Sequence, residues 1–404
     1  MLDAGISSHR KSDRGQVRVA AHVGFVLTGA VTTLLGPVLP ALTAKWSLTD
    51  SEAGYLFTAQ FIGAVAGSTA LAAIIARAGF LRSLALGFVL MAAGVAGLAA
   101  GAWTLGLASV FFYGMGFGIT IPATNLLISE INPRRRAAAL NIVNFAWCLG
   151  AVASPPIIAL FVNRYSLNAA LFGLALLSGA VAVWIVRRRL TIGVSKQSGD
   201  GVEIRSAFWS DPVALLVAAL LFLYVGTENA IGGWVASYAS RLKDGGGVLW
   251  AMGTSIFWGA LMAGRAGAPL LLRRVSEGKL VLGALVLAAA GVSCLLAATG
   301  MVTLMIGVAL SGAGLACVYP TTWAVFSEYL GARASEKAGI ISAMGGLGGA
   351  TLPWAVGVAS TRFGSLRSGL LIALLSSLVM IALQVSIILT LARRNADAKT
   401  AKAA

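Results

Sequence analysis

Apolar runs of about 20 residues, each long enough to cross roughly 30 Å of hydrocarbon as a helix, recur along the whole chain between short polar breaks. We read twelve of them, at 18–43, 52–76, 83–102, 104–129, 137–162, 168–186, 212–240, 248–272, 279–299, 302–328, 337–361 and 368–391. The runs lack the period-two alternation of barrel strands, so the pattern predicts an all-α membrane protein. Some breaks are minimal: Ala102–Trp103 and Thr299–Gly300 leave almost no loop, which makes the adjoining helices antiparallel hairpins. The long polar stretch 187–211, from Arg187-Arg188-Arg189 to Asp211, reads as a linker. It separates an N-terminal six-helix bundle, 1–186, from a C-terminal one with a short tail, 212–404.

The second bundle repeats the first. At an offset of 198, Gly114, Gly116, Pro122, Ser129, Glu130, Arg135, Gly150, Pro155 and Arg164 fall on Gly312, Gly314, Pro320, Ser327, Glu328, Arg333, Gly348, Pro353 and Arg362. Upstream the offset is 196, where Phe61, Gly63, Ala64 and Arg77 meet Phe257, Gly259, Ala260 and Arg273. Parallel repeats of this size in an apolar chain point to a carrier that rocks about a central site. Glycines inside spans, densest at Gly345, Gly346, Gly348 and Gly349, read as close helix packing, and Pro155-Pro156 and Pro353 predict kinks at matching depths.

Composition agrees: 58% of residues are hydrophobic, 11% are charged, and mean hydropathy is +0.88. The net charge of +16 is mainly a topology signal. With twelve spans both termini share a side, and that side holds 23 Arg and Lys against six on the other, which predicts cytoplasmic termini in an inner membrane. No basic stripe is interleaved with aromatic residues, so a nucleic-acid role is not supported. Cys148, Cys294 and Cys317 lie inside spans without paired spacing, predicting neither disulfides nor a metal site, and residues 1–16 lack the apolar core of a cleaved signal. No cofactor is expected. G-x-x-x-x-G-K-[ST] and H-E-x-x-H patterns are absent, and Gly114, Gly116 and Gly118 lie within a span rather than after a strand, so no enzyme is expected.

Ionisable groups deep in spans carry more information, because each costs about 2.5–3.5 kcal/mol to insert. Glu228 lies roughly 24 Å from the cytoplasmic end of the seventh span and Arg265 roughly 12 Å from the same face in the eighth. Glu228 reads as a proton-coupling carboxylate or as a hydrogen-bonded tie to a neighbouring helix. The depths put Arg265 too far from Glu228 for an ion pair; Glu328 is another candidate partner, in a cytoplasmic charge lock, and direct substrate contact is the alternative reading of Arg265. Arg77, Arg265, Glu130 and Glu328 are the gating candidates. Polar and aromatic residues gather in eight spans and leave the third, sixth, ninth and twelfth almost purely aliphatic, hence lipid-facing. Gln60, Asn125, Asn141, Asn144, Trp147, Asn229, Trp234, Trp258, Tyr319, Thr322 and Trp323 are the substrate-binding candidates, with Thr32, Thr33 and Ser342 beside them. Amides and hydroxyls next to indole rings suit a neutral polyhydroxylated ligand. Each residue singly is as well explained by an interhelical hydrogen bond. His22 reads as an interfacial histidine.

The twelve spans, the parallel halves and Arg77-Ala78-Gly79 followed by Arg82 resemble the major facilitator superfamily, although Ala76 stands where that family has an acidic residue. The stretch from Tyr224-Val225-Gly226-Thr227-Glu228-Asn229 to Trp234 is similar to the seventh-helix signature of fucose-permease-like sugar:proton symporters, as are Leu140-Asn141 to Gly150 and Tyr319-Pro320-Thr321. The resemblance implies alternating access, a central sugar site and proton coupling. The acidic residues that this group carries in its first and fourth helices are replaced by Thr32, Thr33 and Asn125, which leaves Glu228 to carry the coupling. The expectation is a monomeric secondary transporter taking up a monosaccharide with protons. A proton-coupled exporter of amphipathic drugs or metabolites is the alternative, and a receptor or scaffold is disfavoured by the short loops.

Overall fold

A computed structural model describes residues 2–133, 135–187, 211–242, 245, 248–330 and 334–403. All its regular elements are helices: α1 (Leu2–Thr32), α2 (Leu35–Trp46), α3 (Asp50–Ala78), α4 (Phe80–Ala100), α5 (Trp103–Ile131), α6 (Arg136–Arg164), α7 (Leu167–Arg187), α8 (Pro212–Ser240), α9 (Leu249–Leu271), α10 (Glu277–Leu296), α11 (Met301–Leu315), α12 (Val318–Leu330), α13 (Ala334–Phe363) and α14 (Leu366–Ala403). The expected linker lies outside the described residues from 188 to 210, as do Arg134, Lys243 and Arg333.

Among the described residues, ten helical stretches are long and apolar enough to span a membrane, or eleven if α1 and α2 form one bent span. Helix α9 occupies the eighth position; Arg265 and the polar run Gly253-Thr254-Ser255 hold its hydropathy down. It is packed against α8 and α11 inside its own unit.

Two expected spans are broken, and the same chemistry explains both. The first bends by 43° where α1 gives way to α2. Thr28, Thr32 and Thr33 each turn their hydroxyl back to the carbonyl four residues earlier, an arrangement that bends helices. Pro37 adds a residue that cannot donate, and the Gly36 amide shifts to the Thr33 carbonyl. The tenth span breaks between α11 and α12 because Pro320 has no N–H to offer the carbonyl of Ala316. At each break a freed carbonyl is taken by a side chain: Gln60 Nε2 donates to Thr32 O at 3.3 Å, and Arg265 Nε donates to Ala316 O at 3.3 Å.

The chain divides into two compact units. The first contains residues 1–48 and 55–197; the second contains 198–404 together with Thr49–Gly54, the first turn of α3. In the first unit α1 packs on α6, and α4 on α5 and α7. In the second α8 packs on α13 and α14, α9 and α10 on α11. Glycine fixes the equivalent crossings inside each unit. Gly150 of α6 lies on the backbone of Val26 in α1, and Gly348 of α13 on the backbone of Phe222 in α8, the residue 196 positions after Val26. Gly114 meets the Gln60 carbonyl of α3, and Gly312 meets the Phe257 carbonyl of α9. A Cβ at any of these four would overlap backbone atoms, so the crossings depend on glycine. The fold is thus the expected all-α architecture of repeated helical units.

The outer faces of α7 and α14 are apolar, with Leu176 and Leu375 largely exposed, as expected of helices turned to lipid. Between α3 and α4, Gly79 takes φ +80°, a conformation that favours glycine and explains that residue in the Arg77-Ala78-Gly79 turn.

Candidate functional site

The deepest charged cluster lies inside the second unit, around α8. Glu228 is buried at mid-helix, with Tyr224 one turn earlier on the same helical face and its phenol beside the carboxylate. Arg265 Nη2 reaches the same Tyr224 oxygen from α9 at 3.4 Å while Nε holds the Ala316 carbonyl. Tyr224 therefore lies between a carboxylate and a guanidinium in the membrane interior. This corrects the expected separation of Glu228 and Arg265. The backbone depths of Tyr224 and Arg265 differ by roughly 6 Å, which an extended arginine side chain covers. It also corrects the Arg265–Glu328 lock: Arg265 is anchored beside Ala316, and Glu328 is exposed roughly 18 Å farther along the tenth span.

An aromatic wall continues from this cluster. The Tyr224 and Tyr319 ring centroids are 5.8 Å apart, and Tyr319 lies almost parallel to Trp323 at 6.3 Å with 4° between the planes. The pair is spaced i, i+4 on α12, both members are half-buried, and Phe326 backs Trp323 at 5.9 Å. Trp258 is buried edge-on to Phe257 against Gly232. Asn229 is half-buried and donates to the Val225 carbonyl at 2.8 Å, leaving its amide oxygen turned away from its own helix backbone.

Two binding candidates of this unit fall elsewhere. Trp234 is fully buried and its indole N–H donates to the Pro353 carbonyl at 2.8 Å, which makes it a packing residue between α8 and α13. Thr322 faces away from the Tyr319–Trp323 surface, toward a separate cavity of about 380 Å³ that it lines with Val217, Phe326 and Gln384. One helical residue beyond or before the aromatic positions is enough to turn a side chain by 100° and out of the wall.

In the first unit Gln60 is buried and held at both ends: Tyr113 Oη donates to Oε1 at 2.8 Å, and Nε2 donates to Thr32. Gln60 thereby joins α1, α3 and α5. Asn144 Nδ2 donates to Asn125 Oδ1 at 3.1 Å and to the Leu140 carbonyl at 2.8 Å, joining α6 to α5, and exposed Asn141 lies one turn earlier on α6. Trp147 is half-buried one turn beyond Asn144's neighbour Val143, and its backbone carbonyl faces Gly29. Thr32 and Thr33 spend their hydroxyls on their own helix, and Ser342 is exposed on α13. Arg77 and Glu130 are exposed at the ends of α3 and α5. His22 Nδ1 donates locally, to the Arg18 carbonyl at 2.7 Å, while Arg18 Nη2 donates to Asn132 Oδ1.

Three contributors were missing from the candidate residues: Tyr224 and Tyr113, and a charged group formed by Asp50, Arg241 and Ser360. The i, i+4 spacing of Tyr224 and Glu228 was a readable signal; the pairing of Asp50 with Arg241, 191 residues apart, was not.

Comparison with known proteins matches this arrangement to a family. A protein of Helicobacter pylori strain J99, whose name proposes glucose/galactose transport, is 25% identical over 384 residues, covering 86% of this chain and 90% of its own. The crystal structure of a nucleoside transporter, NupG, superposes with a TM-score of 0.78 at 13% identity, covering 93% of this chain and 99% of that one. FucP superposes with a TM-score of 0.59 at 19% identity over 92% of this chain and 98% of its own. The sequence model of the Major Facilitator Superfamily matches residues 21–350, and the chain belongs to that family of membrane transporters.

Proposed function

We propose that this protein is a secondary transporter that works by alternating access and takes up a monosaccharide together with protons. The observation that carries the reading is the cluster in the second unit: buried Glu228 beside Tyr224, Arg265 on the Tyr224 hydroxyl, and the half-buried Tyr319–Trp323 stack next to them. Flat aromatic faces cover the apolar side of a sugar ring, and amides such as Asn229, Asn125, Asn141 and Asn144 offer hydrogen bonds to its hydroxyls. The names of the Helicobacter pylori relatives support the same substrate class.

In this reading Glu228 is the group that gains and loses the transported proton. Arg265 favours the carboxylate when the proton leaves, and Tyr224 keeps the charge hydrogen-bonded in either state. One proton moving down the potential supplies about 2.3 kcal/mol per 100 mV, enough to concentrate an uncharged solute tens-fold. We place the protein in the inner membrane as a monomer with both termini in the cytoplasm, consistent with the distribution of Arg and Lys.

The test is transport in proteoliposomes. The wild-type chain is expected to accumulate labelled glucose or galactose when an inward proton gradient is imposed, and to exchange these sugars without one. Glu228→Gln is expected to abolish uphill accumulation while retaining exchange. Gradient-driven accumulation that survives this substitution removes Glu228 from the coupling; absence of hexose exchange in the wild type removes the sugar assignment.

A further inference from the structure

Behind the aromatic wall, inside the second unit, lies the cavity of about 380 Å³ that Thr322 lines, a volume within the roughly 300–1,000 Å³ typical of small-molecule sites. It is enclosed by α8, α10, α12 and α14. Its floor is apolar, with Val217, Val281, Phe326 and Ile387 all buried. Phe326 is the partition, since it lines this cavity and also backs Trp323 with ring centroids 5.9 Å apart. The polar lining consists of Thr322 and Gln384 within, and of Ser276 and Glu277 at the start of α10. None of these four belongs to the Glu228 cluster.

Thr322 is the anomaly in this lining. It is only 4% exposed, and its hydroxyl has no hydrogen-bond partner. Thr28, Thr33 and Thr351, in other spans, donate to the carbonyl four residues earlier, whereas Thr322 leaves the carbonyl of Val318 alone. A hydroxyl buried without a partner is costly, and a rotation about χ1 is enough to present it to the cavity that its own side chain lines. Gln384 Nε2 donates to the Gly278 carbonyl at 3.2 Å, which leaves Oε1 to accept. Ser276 stands at the N-cap of α10 yet its side chain makes no capping bond, and among the described residues Glu277 makes no ion pair.

The unspent groups are therefore acceptors above all: a carboxylate, an amide oxygen and two hydroxyls, with no Lys, Arg or His among the described lining residues. Acceptors of this kind call for a positively charged donor, and the apolar floor calls for a hydrocarbon chain. An ammonium has three donors and no acceptor, so nothing on it would be left facing a like group, whereas an anionic head would meet Glu277 with the same charge. We propose that this cavity binds a single-chain alkylammonium amphiphile, with its ammonium among Glu277, Gln384 and Thr322 and its chain against Val217, Val281 and Ile387. The site is separate from the proposed transport site, and the inference does not depend on the transport reading.

The full-length protein in phosphatidylcholine nanodiscs is photolysed with a dodecylamine analogue that carries a diazirine in its chain, and the adducts are mapped by peptide mass spectrometry. Saturable adducts are expected on the stretches around Val217, Val281, Phe326 and Ile387, competed by dodecylamine, more weakly by dodecanol and not by laurate. Glu277→Gln is expected to weaken amine labelling on the order of tenfold and to erase the preference for amine over alcohol. Thr322→Val, which keeps the side-chain shape and removes the hydroxyl, is expected to weaken it about fivefold. The competition series uses the wild-type chain, so it decides the matter even where a substitution harms folding. Adducts that spread without saturation over outward-facing residues such as Leu176 and Leu375 overturn the site, as does laurate competing as well as the amine, or labelling unchanged in both variants.

Discussion

Tyr224 shows how much one hydroxyl can decide in a medium without water. Glu228 and Arg265 come from adjacent helices at different depths, and the phenol oxygen lies between them and takes a hydrogen bond from Arg265. Leaving a buried polar group without its partner costs about 1–3 kcal/mol, which converts to roughly tenfold or more in an equilibrium. Tyr224→Phe is therefore expected to reduce proton-driven accumulation by about tenfold while leaving the aromatic contact with Tyr319 and the folded state intact. Initial rates in proteoliposomes across a series of imposed pH gradients check this; a profile identical to wild type would mean that the hydroxyl does not serve the coupling. At this scale the sequence was only partly legible. Glu228 stood out because an acidic residue in an apolar run is costly, and Asn229, Trp258, Tyr319 and Trp323 do gather near it in one unit. Trp234 misled because an indole at mid-membrane fits a pocket wall and a packed interior equally well; only the bond to Pro353 separates the two. Gln60 misled in the same way, since its amide is spent on Tyr113 and Thr32.

At the level of whole helices, most of the pattern could be read directly. Long apolar runs left little choice but helices, and the glycines that recur at an offset of 198 mark the same crossings in each unit. The breaks in the first and tenth spans were not read, although Pro37 and Pro320 were in plain view. Proline within a membrane helix often only kinks it, and whether the helix ends depends on whether a side chain from elsewhere donates to the freed carbonyl. Gln60 and Arg265 do so here. The glycine crossings yield a paired prediction. Gly150→Ala and Gly348→Ala are each expected to destabilise their unit by about 1–3 kcal/mol, because a methyl group would meet the backbone of Val26 or Phe222. Gly173→Ala in α7 meets open space and is expected to be neutral or slightly stabilising through helix propensity. Thermal unfolding in detergent compares the three; equal midpoints would show that glycine at the crossings is incidental.

For the molecule as a whole, the repeat and the charge distribution act together. A duplicated unit inserted twice in the same orientation must present the same ends of equivalent helices to the same side, and the uneven placement of Arg and Lys selects which side that is. On the topology proposed above, the Arg241 end of α8 and the Arg362 end of α13 are expected to face away from the cytoplasm, on the side with six basic residues against 23. A truncated chain ending after Leu242 and fused to alkaline phosphatase, which is active only outside the inner membrane, is accordingly expected to give full enzyme activity. A fluorescent protein fused after Ala404, which matures only in the cytoplasm, is expected to fluoresce. The two reporters are independent because one follows seven spans and the other twelve. Inactive phosphatase at the first junction would show that the basic count had been assigned to the wrong face. Active phosphatase together with a dark C-terminal reporter would instead remove one span from the second unit. The span at risk would be α9, whose Arg265 makes it the least apolar of the set; if α9 did not cross, α10 to α14 would all be inverted and the repeat could not be parallel.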